Sequence, residues 1–174
     1  MKTKTTQILA VLKVISWILF IGLLIQAGAI LVSYTISLFN PIAAKDFYSG
    51  LDLSELYNWN IWQYTGIVSF WLSFLLIKAY IAYLVIQIFA KLNLKNPFSI
   101  AISSLISKIS YAALTAGVLA IIAQGHSKWI SKSGVEVIQN WGSSEFLFLA
   151  AIIFIIAKVF ERGIELQEEN ELTI

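Results

Sequence analysis

Long stretches of this sequence carry no Asp, Glu, Lys or Arg, among them 14–44, 56–77, 79–90, 109–127 and 146–157. A bilayer core about 30 Å thick is crossed by about 20 apolar residues of helix. Lipid offers the backbone no water to bond, so such runs close their own hydrogen bonds as helices or barrels. A barrel needs apolar–polar alternation, and Ile18-Leu19-Phe20-Ile21 and Ile152-Ile153-Phe154-Ile155-Ile156 are apolar on every face. The 13% of charged residues is about half the roughly 25% of a soluble domain. A soluble domain of this size has too much surface in water to hide so apolar a chain. The same composition excludes disorder. A net charge of +2 with scattered lysines argues against direct nucleic-acid binding.

The expected fold is all-α: one integral membrane four-helix bundle over 1–174, with spans near 12–36, 62–90, 105–125 and 143–162. Outer loops fall at 40–60 and 126–142, an inner loop at 91–99 and a tail at 163–174. The second span joins two charge-free stretches across Lys78. The fourth is the shortest; it spans only if Trp141 and Phe160 are included and Lys158 snorkels, and a buried or re-entrant segment is the alternative. Lys2, Lys4 and Ala27-Gly28-Ala29 mimic a cleaved leader, but Ile30-Leu31-Val32 continues the apolar run, so the first span is read as retained.

Four spans put both termini on one side. That side carries Lys2, Lys4, Lys13, Lys91, Lys95, Lys108, Lys158 and Arg162; the other carries Lys45, Lys128 and Lys132. The excess of positive charge predicts cytoplasmic termini in a multi-pass protein of the bacterial inner (plasma) membrane. Trp59, Trp62, Tyr64, Trp129 and Trp141 flank the outer loops as interface anchors. Asp52-Leu53-Ser54-Glu55 has the spacing of a helix start, and Asn96-Pro97 predicts that the third helix begins with Pro97 in its first turn. The loop from His126 to Ser144 is apolar enough to rest on the membrane or on the bundle.

Catalytic constellations are missing at the level of residue type. The single His is His126, and the only aspartates are Asp46 and Asp52. Zero Cys removes thiolate chemistry and Cys-based metal sites. No metalloprotease, nucleophile-elbow or P-loop motif occurs, and no carboxylate sits mid-span for proton coupling. The expectation is no enzyme, no catalytic residue, no metal and no cofactor. Lys78 is the one charge away from the ends of a span, where it costs about 2.5–3.5 kcal/mol on insertion scales. Gln26 and Tyr80 are its candidate polar neighbours. Either Lys78 snorkels, or it serves an anion, a lipid or a gate.

Two other patterns stand out. Ala112, Ala116, Gly117 and Ala120 form a small-residue stripe that lets helices approach closely, inside the bundle or across a homo-oligomer. Glu161, Glu165, Glu168, Glu169 and Glu171 make the C-terminal segment acidic, either as a solvated end or as a docking surface for a basic partner.

Asn96-Pro97-Phe98-Ser99 ahead of the third span and Glu168-Glu169-Asn170-Glu171-Leu172-Thr173-Ile174 at the end look familiar. With four spans and an acidic end, the chain resembles the bacterial membrane family catalogued as domain of unknown function 2975, YoaS-like. The motif evidence lies in 90–174, and neither motif is catalytic. The resemblance implies a membrane component of a regulatory pair, whose partner is a small cytoplasmic helix-turn-helix DNA-binding regulator. The competing expectation is a small transporter, channel or lipid-binding protein that uses Lys78.

Overall fold

In the computed structural model, which describes residues 4–94, 97–137 and 140–171, five helices follow one another. They are α1 (Lys4–Phe39), α2 (Ser54–Trp59), α3 (Ile61–Lys91), α4 (Ile100–Ser131) and α5 (Ser143–Glu171). All but α2 are long and apolar enough to cross a membrane. No β-strand is present among the described residues. The protein is therefore an all-α bundle with four potential spans. Lys2, Lys95, Asn96, Ile138 and 172–174 lie outside the described residues, as does the side chain of Glu171.

The long helices alternate in direction, so one end of the bundle carries the two longer loops and the other carries the start of α1 and the end of α5. They form a row rather than a closed ring: α1 packs on α3, α3 on α4, and α4 on α5. Among the described residues no Cα of α5 comes within 8 Å of α1 or α3. α4 is the most enclosed helix and α1 the least.

The α4–α5 contact is close at Gly117, one member of the small-residue stripe. Ala112, Ala116, Gly117 and Ala120 are all buried. A Cβ on Gly117 would sit 2.7 Å from Leu147 Cδ2 and 3.3 Å from the Leu147 nitrogen. Ser110 Oγ donates to the Ala150 carbonyl at 3.0 Å beside it. The stripe is covered from within the chain.

On the loop side, the segment between α1 and α3 folds over the bundle. Asn40 accepts from Ile42 N–H to start a 3-10 turn, Pro41–Ala44. Tyr48-Ser49-Gly50-Leu51 then reverses the chain with φ of 51° and 79° at its centre, the positive values of a tight hairpin turn that glycine favours. Phe47, Leu53 and Leu56 are buried beneath it against Tyr64. Ser37 Oγ donates to the Tyr34 carbonyl (2.7 Å) and lies 2.7 Å from the Tyr64 hydroxyl. A hydroxyl has one proton to give, so Tyr64 is the donor in that buried pair.

Several local expectations change. Asp52 caps no helix: its Oδ1 accepts from Ser54 N–H and Oγ, and α2 follows with Leu53 at the cap position. α4 starts at Ile100, not at Pro97, because the extended Ser99 supplies the capping oxygen to Ile102 N–H; the Asn96 half of that expectation lies outside the described residues. The second loop is shorter than 126–142, because α4 continues through Trp129 and Ile130 to Ser131. Two expected interface anchors are core residues. Tyr64 is fully buried in the aromatic cluster, and Trp141 is 5% exposed. Trp62, 80% exposed, is free to meet lipid.

Candidate functional site

Lys78 lies near the middle of α3, about 26 Å along the helix from Ile61 and about 20 Å from Lys91. Gln26 and Tyr80 do not join it. Tyr80 is two positions on, and residues at i, i+2 face apart; it lines a groove of about 470 Å³ on another side of α3, with Lys108, Tyr111 and Thr115. Gln26 lines neither cavity that Lys78 borders. Instead the Lys78 ammonium stands 4.8 Å from the centre of the Phe74 ring and 5.6 Å from that of Phe146. Ring quadrupoles attract a cation at this range by about 0.5–2 kcal/mol, short of the full cost of a charge in a span. Among the described residues no carboxylate forms an ion pair with it.

Lys78 borders two cavities of different character. Towards the loop side a chamber of about 330 Å³ is lined by Trp71, Phe74, Asn140, Trp141, Gly142 and Phe146. Towards the termini an apolar groove of about 380 Å³ runs between α1, α3 and α5. The groove exists because α1 and α5 flank α3 without closing on each other.

The chamber is made by a loop that folds inward. Ser143 Oγ donates to Gln124 Oε1, and Trp141 Nε1 donates to Ser127 Oγ, so the chain after Ser131 turns back along α4. Gln124 lies seven residues before Ser131, so α5 begins about 10 Å inside the end of α4. Asn140 Oδ1 accepts from Gly142 N–H, and Gly142 takes φ 66° to complete the turn. Non-helical backbone at membrane depth is tolerated where it is buried in protein or lines a water-filled cavity. For Asn140, Trp141 and Gly142 the sequence signal is the Asn-x-Gly turn pattern, which says where the chain bends but not what the bend faces.

The acidic segment is built differently from a bare charged end. Glu161 pairs with Lys158 (2.7 Å), and Arg162 pairs with Glu165 (2.6 Å) and approaches Glu169 (4.0 Å). These pairs are exposed and interleave the expected row of like charges. Phe98 packs its ring at a tilt on Phe160 and presses on Gly163, where the end of α5 meets the start of α4. Between them lies a groove of about 480 Å³ in which Ser103, Ser104 and Ser107 face Glu161, Glu165 and Glu168.

His126 sits between Phe70 and Trp129, and its Nε2 has no hydrogen-bond partner among the described residues. No group of three or more His, Cys, Asp or Glu among the described residues is arranged to hold a metal ion.

The family described as protein of unknown function (DUF2975) matches residues 48–174. The chain belongs to this family. The matched part of this DUF2975 member contains α2 to α5 and every residue around the Lys78 chamber; α1, one wall of the apolar groove, lies before it. Comparison with curated proteins and with solved structures finds no match.

Proposed function

We propose that this DUF2975 protein is a non-catalytic binding protein of the bacterial inner membrane, with cytoplasmic termini, that holds an anionic ligand at Lys78. The supporting observation is the ammonium itself. It borders a chamber rimmed by loop backbone at membrane depth, stands over two aromatic rings, and is offered no carboxylate among the described residues. An anion completes its charge balance, which the rings do only in part. The eight-to-three distribution of basic residues supports the orientation, and the missing acid–base groups support the absence of catalysis. The test is mass spectrometry of the molecules that co-purify with the protein. An anionic species is expected with the wild type and absent from Lys78→Leu. An identical set from both proteins overturns the reading.

A second reading has its own observation. The groove of three serines and three glutamates where α4 meets the end of α5 suits a basic segment of a cytoplasmic regulator, which would make the protein a membrane sensor or regulatory partner. Co-purification with a neighbouring DNA-binding regulator should be lost on deleting 165–174. Undiminished binding removes the acidic segment from the interface.

A further inference from the structure

The two cavities at Lys78 differ in polarity, and they lie on opposite sides of the ammonium along the bundle axis. Residue order in three helices gives the direction of the apolar groove. On α3 it passes from Lys78 through Ile81 and Ala82 to Val85, and on the antiparallel α1 from Leu23 through Leu19 to Ser16. On α5, which runs parallel to α3, it passes from Phe146 to Leu149. All three sequences run from the loop side towards the termini. Seven residues of α3 correspond to about 10 Å of groove. The polar chamber lies the other way, towards Trp71 and the loop residues Asn140 and Gly142.

Resting on the anion-binding reading above, we infer that the ligand is an amphiphile: an anionic headgroup seated on Lys78 in the chamber, with one acyl chain lying in the groove towards the termini. Charge complementarity fixes the head, because among the described residues that line the two cavities the ammonium is the only charged group. The chain follows from the groove walls, where Leu19, Leu23, Ile81, Val85 and Leu149 offer aliphatic surface and Ser16 spends its hydroxyl on the Leu12 carbonyl of its own helix. A free inorganic anion would answer the chamber and leave its continuity with the groove unused. A neutral chain would leave Lys78 uncompensated. A single molecule with both parts answers both cavities.

The test uses the full chain in phosphatidylcholine nanodiscs, titrated with dodecyl phosphate and followed by tryptophan fluorescence, since Trp71 and Trp141 line the chamber. A saturable response is expected. It should weaken by at least about tenfold, or 1.4 kcal/mol, in Lys78→Leu and in Ala82→Phe, which fills the groove, and it should persist in Lys78→Arg. Dodecanoate replaces the phosphate by a carboxylate; whichever amphiphile binds more tightly in a Lys78-dependent way assigns the head. Inorganic phosphate binding as tightly as dodecyl phosphate, with no effect of Ala82→Phe, overturns the chain and leaves the anion reading intact. Dodecanol binding as tightly as dodecyl phosphate, or no Lys78-dependent response to any of these probes, overturns both.

Discussion

Trp141 Nε1 donates to Ser127 Oγ over 3.0 Å, and this bond between two buried side chains pins the loop after α4 inside the bundle. Together with the neighbouring Ser143–Gln124 pair, the bond ties the Asn140–Gly142 turn to the side of α4 at the level of the chamber. Trp141→Phe keeps most of the ring that packs on Phe70 and Phe74 and removes the donor. Interhelical hydrogen bonds in membrane proteins are worth about 0.6 kcal/mol on average and about 1.7 at most. A loss of about 1 kcal/mol is expected in equilibrium unfolding of the detergent-solubilised protein. Unchanged stability would mean that the ring's packing, not the bond, holds the loop.

Gly117 should tolerate no side chain. A methyl there meets Leu147 at Cδ2 (2.7 Å) and Cγ (2.9 Å), which move with the rotamer, and at its backbone nitrogen (3.3 Å), which does not, so rotating Leu147 alone relieves only part of the crowding. Overpacking of this kind costs about 1–3 kcal/mol. Gly117→Ala should destabilise by that amount, and Leu147→Ala in the same chain should recover part of it, with a coupling of at least about 0.5 kcal/mol in a double-mutant cycle. Purely additive effects would show that α4 and α5 separate rather than repack.

The sequence disclosed the helices because lipid leaves the backbone few alternatives, and it disclosed Lys78 because a charge inside a span has no ordinary place there. The neighbours of Lys78 divide into two kinds. Phe74 is four residues earlier, on the same helix face, and Tyr80 is two residues later, on another; helical geometry alone assigns both. Phe146 and Trp141 arrive from α5 and the loop before it, and no local pattern announces them. The same limit hid the core role of Tyr64, whose burial depends on Phe47, Leu53 and Leu56 folding back over the end of the bundle. Tyrosine near a span end is compatible with an interface anchor or with a buried hydrogen bond, and only the Ser37 hydroxyl decides.

That pair predicts an ordering of two variants. Ser37→Ala leaves the fully buried Tyr64 hydroxyl without the acceptor it uses. Tyr64→Phe removes the hydroxyl altogether, while Ser37 still donates to the Tyr34 carbonyl. An unsatisfied buried group costs about 1–3 kcal/mol, whereas the net worth of a satisfied bond is about 1. Ser37→Ala should therefore unfold more easily than Tyr64→Phe. The reverse order would make Tyr64 the acceptor.

Asp52 gives a pH dependence with a defined sign. Hydrogen bonds from the Ser54 hydroxyl and N–H favour its charged form and hold its carboxyl below the ordinary aspartate value, about 3.9 in an unfolded chain. A group depressed on folding contributes stability that is complete above the unfolded value and lost as pH falls through the folded one. Protection of the loop between α1 and α3 from an acid-active protease should hold steady down to about pH 4 and decline below it. Asp52→Asn should flatten that decline. A decline of equal size in the variant would assign it to another group.

The absence of cysteine from the chain makes its orientation directly testable. Lys45, Lys91, Lys132 and Glu165 are all exposed, so a cysteine at any one of them is a single reporter on an otherwise unreactive protein. The first and third sit on the loop side of the bundle, the second and fourth at the end that carries the termini. With cytoplasmic termini, Lys45→Cys and Lys132→Cys react with a membrane-impermeant maleimide in spheroplasts, while Lys91→Cys and Glu165→Cys react only after permeabilisation. The opposite pattern inverts the protein in the bilayer and puts the Lys78 chamber on the cytoplasmic face. A third pattern, in which Lys132→Cys and Glu165→Cys label together, would mean that α5, whose charge-free run is only 146–157, does not cross.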